Sequence, residues 1–570
     1  MKRVLSVTVA AIVLAMPASG TSQTRSASAL GALKTRAERS EYRETSRYAE
    51  VVAFMEAVAQ ASPRVHLTTF GYTFEGRPLP LAVVGAPDAS PDAVRKTGKL
   101  RVYIQGNIHG GEVEGKESAQ MLLRDLAQGK HADWLQSMVL LIAPIYNADG
   151  NERISLTNRG RQHGPIGGMG QRPNAQDLDL NRDHMKLDSP EARSVVKLMN
   201  DYDPHVSMDL HATNGSYHAY HLTYAPPLNP ATDPAIIDML RKEWLPALTK
   251  TIKSKYGWDY YYYGNVSRGG RGGGRGVRGG RGAGAGRGAP PAGAPPAVRP
   301  PAAAPSEAPQ ADAAMRIWAS FDHRPRFNNN YIGLRNRIAL LSEAYAYATF
   351  EDRVLATNRF IEENLDYALA HAKTIQQLVS ASDKRPIVGS TLPVRAELER
   401  AAQTVDILMG EVAEEKNPYS GQMMFRRLDV KKPETMTEMG TFKATDTERV
   451  PAAYFVPPNL RTVIDRIQAH GLAATALQAA ETVQLEEFRL ESIEPAARPF
   501  QNRTERTLRG AWTAVERELP AGTLRIDMTQ PLARLAFYLL EPRSDDGLAD
   551  WNLVDGLEAD AKVYPIVREK

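Results

Sequence analysis

Residues 101–127 constrain the fold more than any other stretch of the chain. Arg101-Val102-Tyr103-Ile104-Gln105 is an apolar run of strand length. It breaks at Gly106-Asn107-Ile108-His109-Gly110-Gly111-Glu112, and from Val113 to Ala127 the apolar positions Val113, Leu123 and Leu126 return near helical spacing. Strand, glycine-rich turn and helix make the unit from which helix-covered parallel sheets are built. His109 and Glu112 are separated by two residues at that turn, so an imidazole and a carboxylate can face one cation, a normal partial shell for zinc. Gly110 and Gly111 are expected to keep side chains away from the ion and to let the backbone turn sharply.

The same alternation runs through the first two thirds of the chain. Tyr48 to Ala61 reads as a helix stopped by Pro63, and strands are expected at Val65–Phe70, Leu79–Val84 and Met138–Ile145. Asn147 to Asp177, rich in Gly, Asn, Arg and Pro, reads as an active-site loop. Ser189-Pro190 starts a helix. Val206 to His211 is a strand with Val206, Met208 and Leu210 on one face, leaving Asp209 and His211 on the other. A further strand, Ile338–Glu343, precedes a long amphipathic helix over Asp352–Ser380. The expectation is an α/β fold with a sheet covered on both sides. A boundary near Pro386 to Pro393 opens a smaller α+β domain, residues 391–570, with strands at Val450–Val456, Val483–Leu490 and Leu524–Met528 and a helix at Leu460–Ala469 ended by Gly471. It shows no catalytic cluster.

The chain has no cysteine, so disulfides and thiolate metal ligands are excluded and any metal must be held by His, Asp or Glu. Met1-Lys2-Arg3, the apolar run Val4–Met16 and Ala18-Ser19-Gly20 form an export signal over residues 1–20. That run is too short to span a membrane and no later stretch is long enough, so an exported, periplasmic or secreted protein is expected. The formal charge of +4 comes from the ends of this accounting. Lys2 and Arg3 belong to the leader, and Gly264–Ala314 carries seven Arg against Glu307 and Asp312. The remainder is close to neutral, which argues against a nucleic-acid partner. Gly264–Ala314 itself, Arg-Gly-Gly repeats running into Pro-Ala repeats, is expected to be a disordered insertion, with an RNA-binding tract as the alternative.

Four pieces fall at element ends on one side of the expected sheet. They are His109 with Glu112; the run Asp177-Leu178-Asp179-Leu180-Asn181-Arg182-Asp183; Asp209-Leu210-His211; and Ser342-Glu343. Open α/β sheets gather ligands outside the carboxyl ends of their strands. Two His and one Glu leave a fourth zinc position free, the catalytic pattern. A nearby carboxylate can move protons, and an Arg can clamp a substrate carboxylate.

This ordered set resembles the zinc carboxypeptidase family over roughly Tyr48 to Val379, the insertion apart. The resemblance implies an α/β/α sandwich around a mixed sheet. It implies one Zn2+ per chain, bound by His109, Glu112 and His211. It makes Asn181 and Arg182 the binders of a peptide's terminal carboxylate, Glu343 the general base and acid, and Asp179 the carboxylate that orients His109. The Arg that stabilises the oxyanion is Arg172, with Arg159 and Arg161 as competitors, and Tyr331 is the nearest candidate for the family's mobile Tyr. Gly111 stands where the pancreatic members carry an Arg. Other groups near the motifs have plainer readings: Glu114 and Glu117 facing solvent, His218 and His221 in pocket lining or core, His184 on substrate or surface, and Asp209 supporting His211 or accepting a loop hydrogen bond. The function implied is that of a zinc metallopeptidase, residues 21–390, hydrolysing C-terminal residues of peptides with a free carboxylate. The alternative is a zinc amidase or deacylase acting on N-acyl amino acids or peptidoglycan stem peptides.

Overall fold

The computed structural model describes residues 30–213, 215–268 and 316–570. The expected leader and all of the arginine-glycine tract beyond Arg268 as far as Ala314 lie outside the described residues. Eight strands form one mixed sheet: β1 (Val65–Tyr72), β2 (Pro78–Val84), β3 (Leu100–Gly106), β4 (Met138–Ala143), β5 (Val206–Thr213), β6 (Leu222–Ala225), β7 (Tyr260–Tyr262) and β8 (Ile338–Tyr345). Their order is β1-β2-β4-β3-β5-β8-β6-β7. The central strands β4, β3, β5 and β8 are parallel, whereas β1, β2 and β6 join antiparallel. Parallel strands end on one edge. Gly106 therefore sits opposite Leu210 and His211 opposite Glu343, so the loops that leave β3, β5 and β8 share a rim.

Both faces of the sheet are apolar, and side-chain alternation sorts them. Val102, Ile104, Leu140, Ile142, Met208 and Leu340 point into one buried cluster with helices Tyr48–Ala61, Glu114–Ala127 and Phe350–Ala370. Tyr103, Leu141 and Leu81 point into the other, with helices Pro190–Tyr202 and Asn328–Leu334. Each such side chain taken fully out of water contributes about 1.5–3 kcal/mol. The α/β/α sandwich is as expected.

That second cluster does not stop at the helices. It continues into Tyr454, Val463, Ile467, Phe488, Phe537 and Trp551, so the sheet rests on elements from the end of the chain. Those elements are a six-stranded sheet, centred on Ala453–Val456 and Val567–Glu569 and edged by the long hairpin Glu481–Pro495/Arg506–Leu519, with helices Arg461–His470 and Ala533–Leu540. Buried polar ties reinforce the packing. Tyr331 Oη lies 2.8 Å from His470 Nδ1, Arg466 Nε donates to the Lys186 carbonyl at 2.5 Å, and Arg326 Nε donates to Asp546 at 2.7 Å.

Two expectations are corrected. The long helix over Asp352–Ser380 is two, Phe350–Ala370 and Ala372–Lys384, broken at His371 (φ −118°, ψ 16°) while the apolar stripe runs on past the break. The start of the expected disordered tract is ordered: Asn265–Arg268 is a strand paired with Arg316–Ala319, and the Trp318 ring packs so closely on Gly264 that no Cβ would fit. Residues 391–449, where the sequence pattern raises no expectation, form strands, among them Lys432–Met439 beside Arg316–Ala319 and the pair Thr391–Glu399/Thr441–Arg449.

Candidate active site

β3 delivers the chain to the rim at Gly106, and Asn107 (φ 65°) turns it. Glu112 N–H donates to the His109 carbonyl at 2.9 Å, closing a turn that puts both side chains on one side. The two glycines between them have a different purpose from the one expected. A Cβ on Gly110 would stand 2.4 Å from Gly150 C and 2.6 Å from Asn151 N and Gln171 O; one on Gly111 would stand 2.6 Å from Gly170 O. They let the backbone of the 147–177 loop lie directly on the turn, which brings the arginines of that loop to the rim.

β5 brings His211 to the same place. His109 Nδ1 and His211 Nδ1 are each 3.0 Å from Glu112 Oε2, the rings are 5.0 Å apart, and all three side chains are buried. Among the described residues this is the group whose His, Cys, Asp or Glu donor atoms could hold a metal, all within 4.8 Å of one another. Donors about 2.0–2.2 Å from a tetrahedral ion stand roughly 3.3 Å apart, so the set fits zinc. The far nitrogens are backed by carboxylates. His109 Nε2 is 3.0 Å from Asp179 Oδ1. His211 Nε2 is 2.9 Å from Asp209 Oδ2, though not aligned for a hydrogen bond, and Asp209 is held by Gln105 Nε2 at 3.1 Å. The His109–Asp179 hydrogen bond fixes which nitrogen of that ring faces the ion, while Asp209 sets a negative charge behind His211. Of its two sequence readings, Asp209 takes the one behind His211.

Asp179 ties the metal group to the rest. Its Oδ1 also accepts from Asn181 N–H at 3.0 Å, and its Oδ2 accepts from Arg172 Nε at 2.9 Å. Burial works against the charge, but Arg172, Arg182 and His109 outweigh it and hold the carboxyl well below the usual range. Asn181 Oδ1 accepts from Asn328 N–H at 2.8 Å, which leaves its NH2 as the donor for a ligand. The guanidinium of Arg182 lies 3.7 Å over the Phe327 ring and donates to the Asn181 carbonyl at 2.7 Å. A cation–π contact this close holds the guanidinium against the ring. Glu343, beside His211 in register, is pushed up to about 8 by burial, with His211, Arg159 and Arg172 opposing and Glu112 reinforcing. A bound cation would lower it again.

The three competing arginines separate cleanly. Arg159 is committed to the protein: Nη1 to Glu112 Oε1 at 2.8 Å, Nη2 to the Ala212 carbonyl at 2.8 Å, Nε to Gln162 at 2.7 Å. Arg161 lies 5.6 Å over the Phe425 ring. Arg172 places Nη1 3.3 Å from His109 Nδ1 and 3.5 Å from Glu112 Oε1, with a partly exposed side chain.

Other sequence readings are revised. Tyr331 is fully buried, its hydroxyl held by His470 and Arg335. Glu114 and Glu117 do not face solvent: the first pairs with buried Arg353, the second accepts from Thr45 and Ser46. His184 is buried against Tyr331 and 3.2 Å from Asn328 Nδ2. His218 is buried on Tyr345, and His221 stacks half-buried on Trp258. Tyr263 was missed. It packs edge-on against Phe321 at 5.3 Å, its hydroxyl accepts from Asn265 at 3.0 Å, and burial together with the charge of Glu343 pushes its phenol up. The run Tyr260 to Tyr263 was the available signal.

Residues 51–271 match a family model described as zinc carboxypeptidase. The chain is similar to carboxypeptidase 2 of Trichophyton rubrum, 22% identical over 91% of this chain and 85% of that one. It is also similar to human carboxypeptidase D, 30% identical over 25% of this chain and 12% of that one. Among solved structures it is similar to carboxypeptidase A from Helicoverpa armigera, with 15% identity, 62% of this chain and 80% of that one covered, and a TM-score of 0.39. A metallo-carboxypeptidase from Burkholderia cenocepacia gives 17%, 57%, 69% and 0.35 in the same order.

Proposed function

Taking as premise that this chain belongs to the zinc carboxypeptidase family, we propose that it is an exported enzyme whose His109, Glu112 and His211 hold one Zn2+ and whose rim removes C-terminal residues from peptides. No helix among the described residues is long and apolar enough to cross a membrane. The observation that carries the reading is the double duty of Asp179. One carboxylate holds both His109 of the metal group and the N–H of Asn181, so the fork for a free carboxylate stands at a fixed offset from the metal.

Arg182 and the Asn181 NH2 take the peptide's terminal carboxylate, which sets the scissile carbonyl in front of Arg172. When bound, zinc supplies Lewis acidity to the carbonyl and to the attacking water. Arg172 places a positive charge where the carbonyl oxygen becomes negative. Glu343 takes a proton from the water and returns it to the departing amine, a task its place beside His211 in register allows. Asp179 holds the His109 imidazole in place throughout, and Asp209 keeps a negative charge beside His211.

Arg182→Ala tests the reading. Removing one member of a buried, hydrogen-bonded charge pair costs about 2–5 kcal/mol. KM should therefore rise at least about 30-fold for free-carboxylate peptides and change little for their C-terminal amides. An equal loss on both would refute carboxylate recognition by this fork.

A further inference from the structure

The hairpin Glu481–Pro495/Arg506–Leu519 lies in the part of the chain that showed no catalytic cluster, yet its tip reaches the rim. Phe500 and Arg503 exchange backbone hydrogen bonds of 2.8 and 3.0 Å, leaving Gln501 and Asn502 as a two-residue turn. Both have positive φ, 50° and 63°. That turn type selects Asn, Asp and Gly, and a Gln at its first position is strained.

The strain has a partner. Gln501 Oε1 accepts the N–H of Asp179 at 2.9 Å, across 322 residues of chain. The tip is held firmly enough to aim that oxygen. Arg503 donates twice to Asp188, at 2.7 Å each; Glu505 accepts from Arg326 at 2.5 Å; and Arg326 lies over the rings of Phe500 and Trp551. Asp179 is thus gripped at both ends, its carboxylate by His109, Arg172 and Asn181, and its backbone by the hairpin. Strained backbone that persists beside a site is a pointer to function.

We propose that Gln501 is a positioning residue: the hairpin tip sets the pitch of the Asp179–Arg182 turn and so the aim of His109 and of the carboxylate fork. The proposal rests on the role given to Asp179 above. The C-terminal sheet then acts on the reaction through one amide oxygen.

The test uses the full-length protein with Gln501→Gly, Gln501→Glu and Asp179→Ala. Zinc affinity is read by competition with a chromophoric chelator, kcat and KM on a free-carboxylate peptide, and Tm separately. Glycine suits the left-handed turn, so Gln501→Gly should keep or raise Tm. It should weaken zinc binding and lower kcat roughly fivefold, the worth of one neutral hydrogen bond. Gln501→Glu, which keeps an oxygen at the same reach, should recover most of both. Asp179→Ala should lose about 10–100-fold in zinc affinity. Wild-type zinc affinity and kcat in Gln501→Gly, beside a damaged Asp179→Ala, would overturn the proposal and leave the reading of Asp179 standing. An Asp179→Ala protein with unchanged zinc binding would overturn that reading and the proposal with it. A fall in Tm matching the fall in kcat, without rescue by Glu, would make Gln501 a prop of the fold and also overturn the proposal.

Discussion

Gly110→Ala adds one methyl group where backbone is packed on backbone. The new Cβ would meet Gly150 C at 2.4 Å and Asn151 N and Gln171 O at 2.6 Å, none of which belongs to a side chain that could swing away. Carbon contacts relax to about 3.5–4.0 Å, so the turn and the 147–177 loop must part by roughly 1 Å. Overpacking of this kind costs about 1–3 kcal/mol of stability. The same displacement moves His109 against Arg159 and Arg172, and misplacement by about 1 Å can cost about 100-fold in rate. Purified Gly110→Ala should therefore show a lowered Tm and kcat/KM down by one to two orders of magnitude. Gly31→Ala is the control, because a Cβ there meets nothing within 4 Å, and it should match wild type in rate. If Gly110→Ala kept kcat/KM within about twofold and an unchanged Tm, the close approach of loop and turn would not be what those glycines serve.

Two further outcomes follow from groups already described. Glu343→Gln should keep bound zinc and KM but lower kcat by about 10²–10⁴, as expected for loss of a general base; a near-normal kcat with full metal content would remove Glu343 from proton transfer. Stability should fall on acidification because His205 and His470 are buried and pushed down to about 3 by that burial. His205 Nδ1 accepts from Arg101 N–H at 3.0 Å, and His470 Nδ1 faces the Tyr331 hydroxyl while its Nε2 faces the Met185 carbonyl at 3.1 Å, a neutral ring in both cases. Folded values below the unfolded one near 6.5 mean the contribution is complete above that pH and is lost as pH drops, about 1 kcal/mol per ring between pH 6.5 and 5.5. Urea midpoints across that interval should shift, less so in His470→Gln, and identical slopes for the two proteins would contradict the assignment.

What could be read in the sequence depended on which faces of each element are buried. β3 and β8 are buried runs that end in a polar step at the rim, and β5 alternates Val206, Met208 and Leu210 with Ser207, Asp209 and His211, so their positions and the residues His109, His211 and Glu343 stood out. The strand pair Thr391–Glu399/Thr441–Arg449 is largely exposed on both faces and carries Glu, Lys, Arg and Thr throughout, so no alternation marked it. Glu114 and Glu117 misled for the opposite reason. Charged side chains at helical spacing look solvated, and only tertiary partners, Arg353 from 239 residues away and Ser46 from 71, make their burial tolerable. Gln501 could not be seen at all, because a neutral amide in a turn carries no signal until the fold brings it to Asp179.

Arg326, Arg466, His470 and Gln501 each clasp a group two hundred or more, or well over a hundred, residues distant along the chain, and a continuous apolar interior joins them. Fastened this way, the rim and the terminal sheet share one buried interior among the described residues. A single calorimetric transition, with activity lost along it, is the expected outcome, and two separate transitions would refute it.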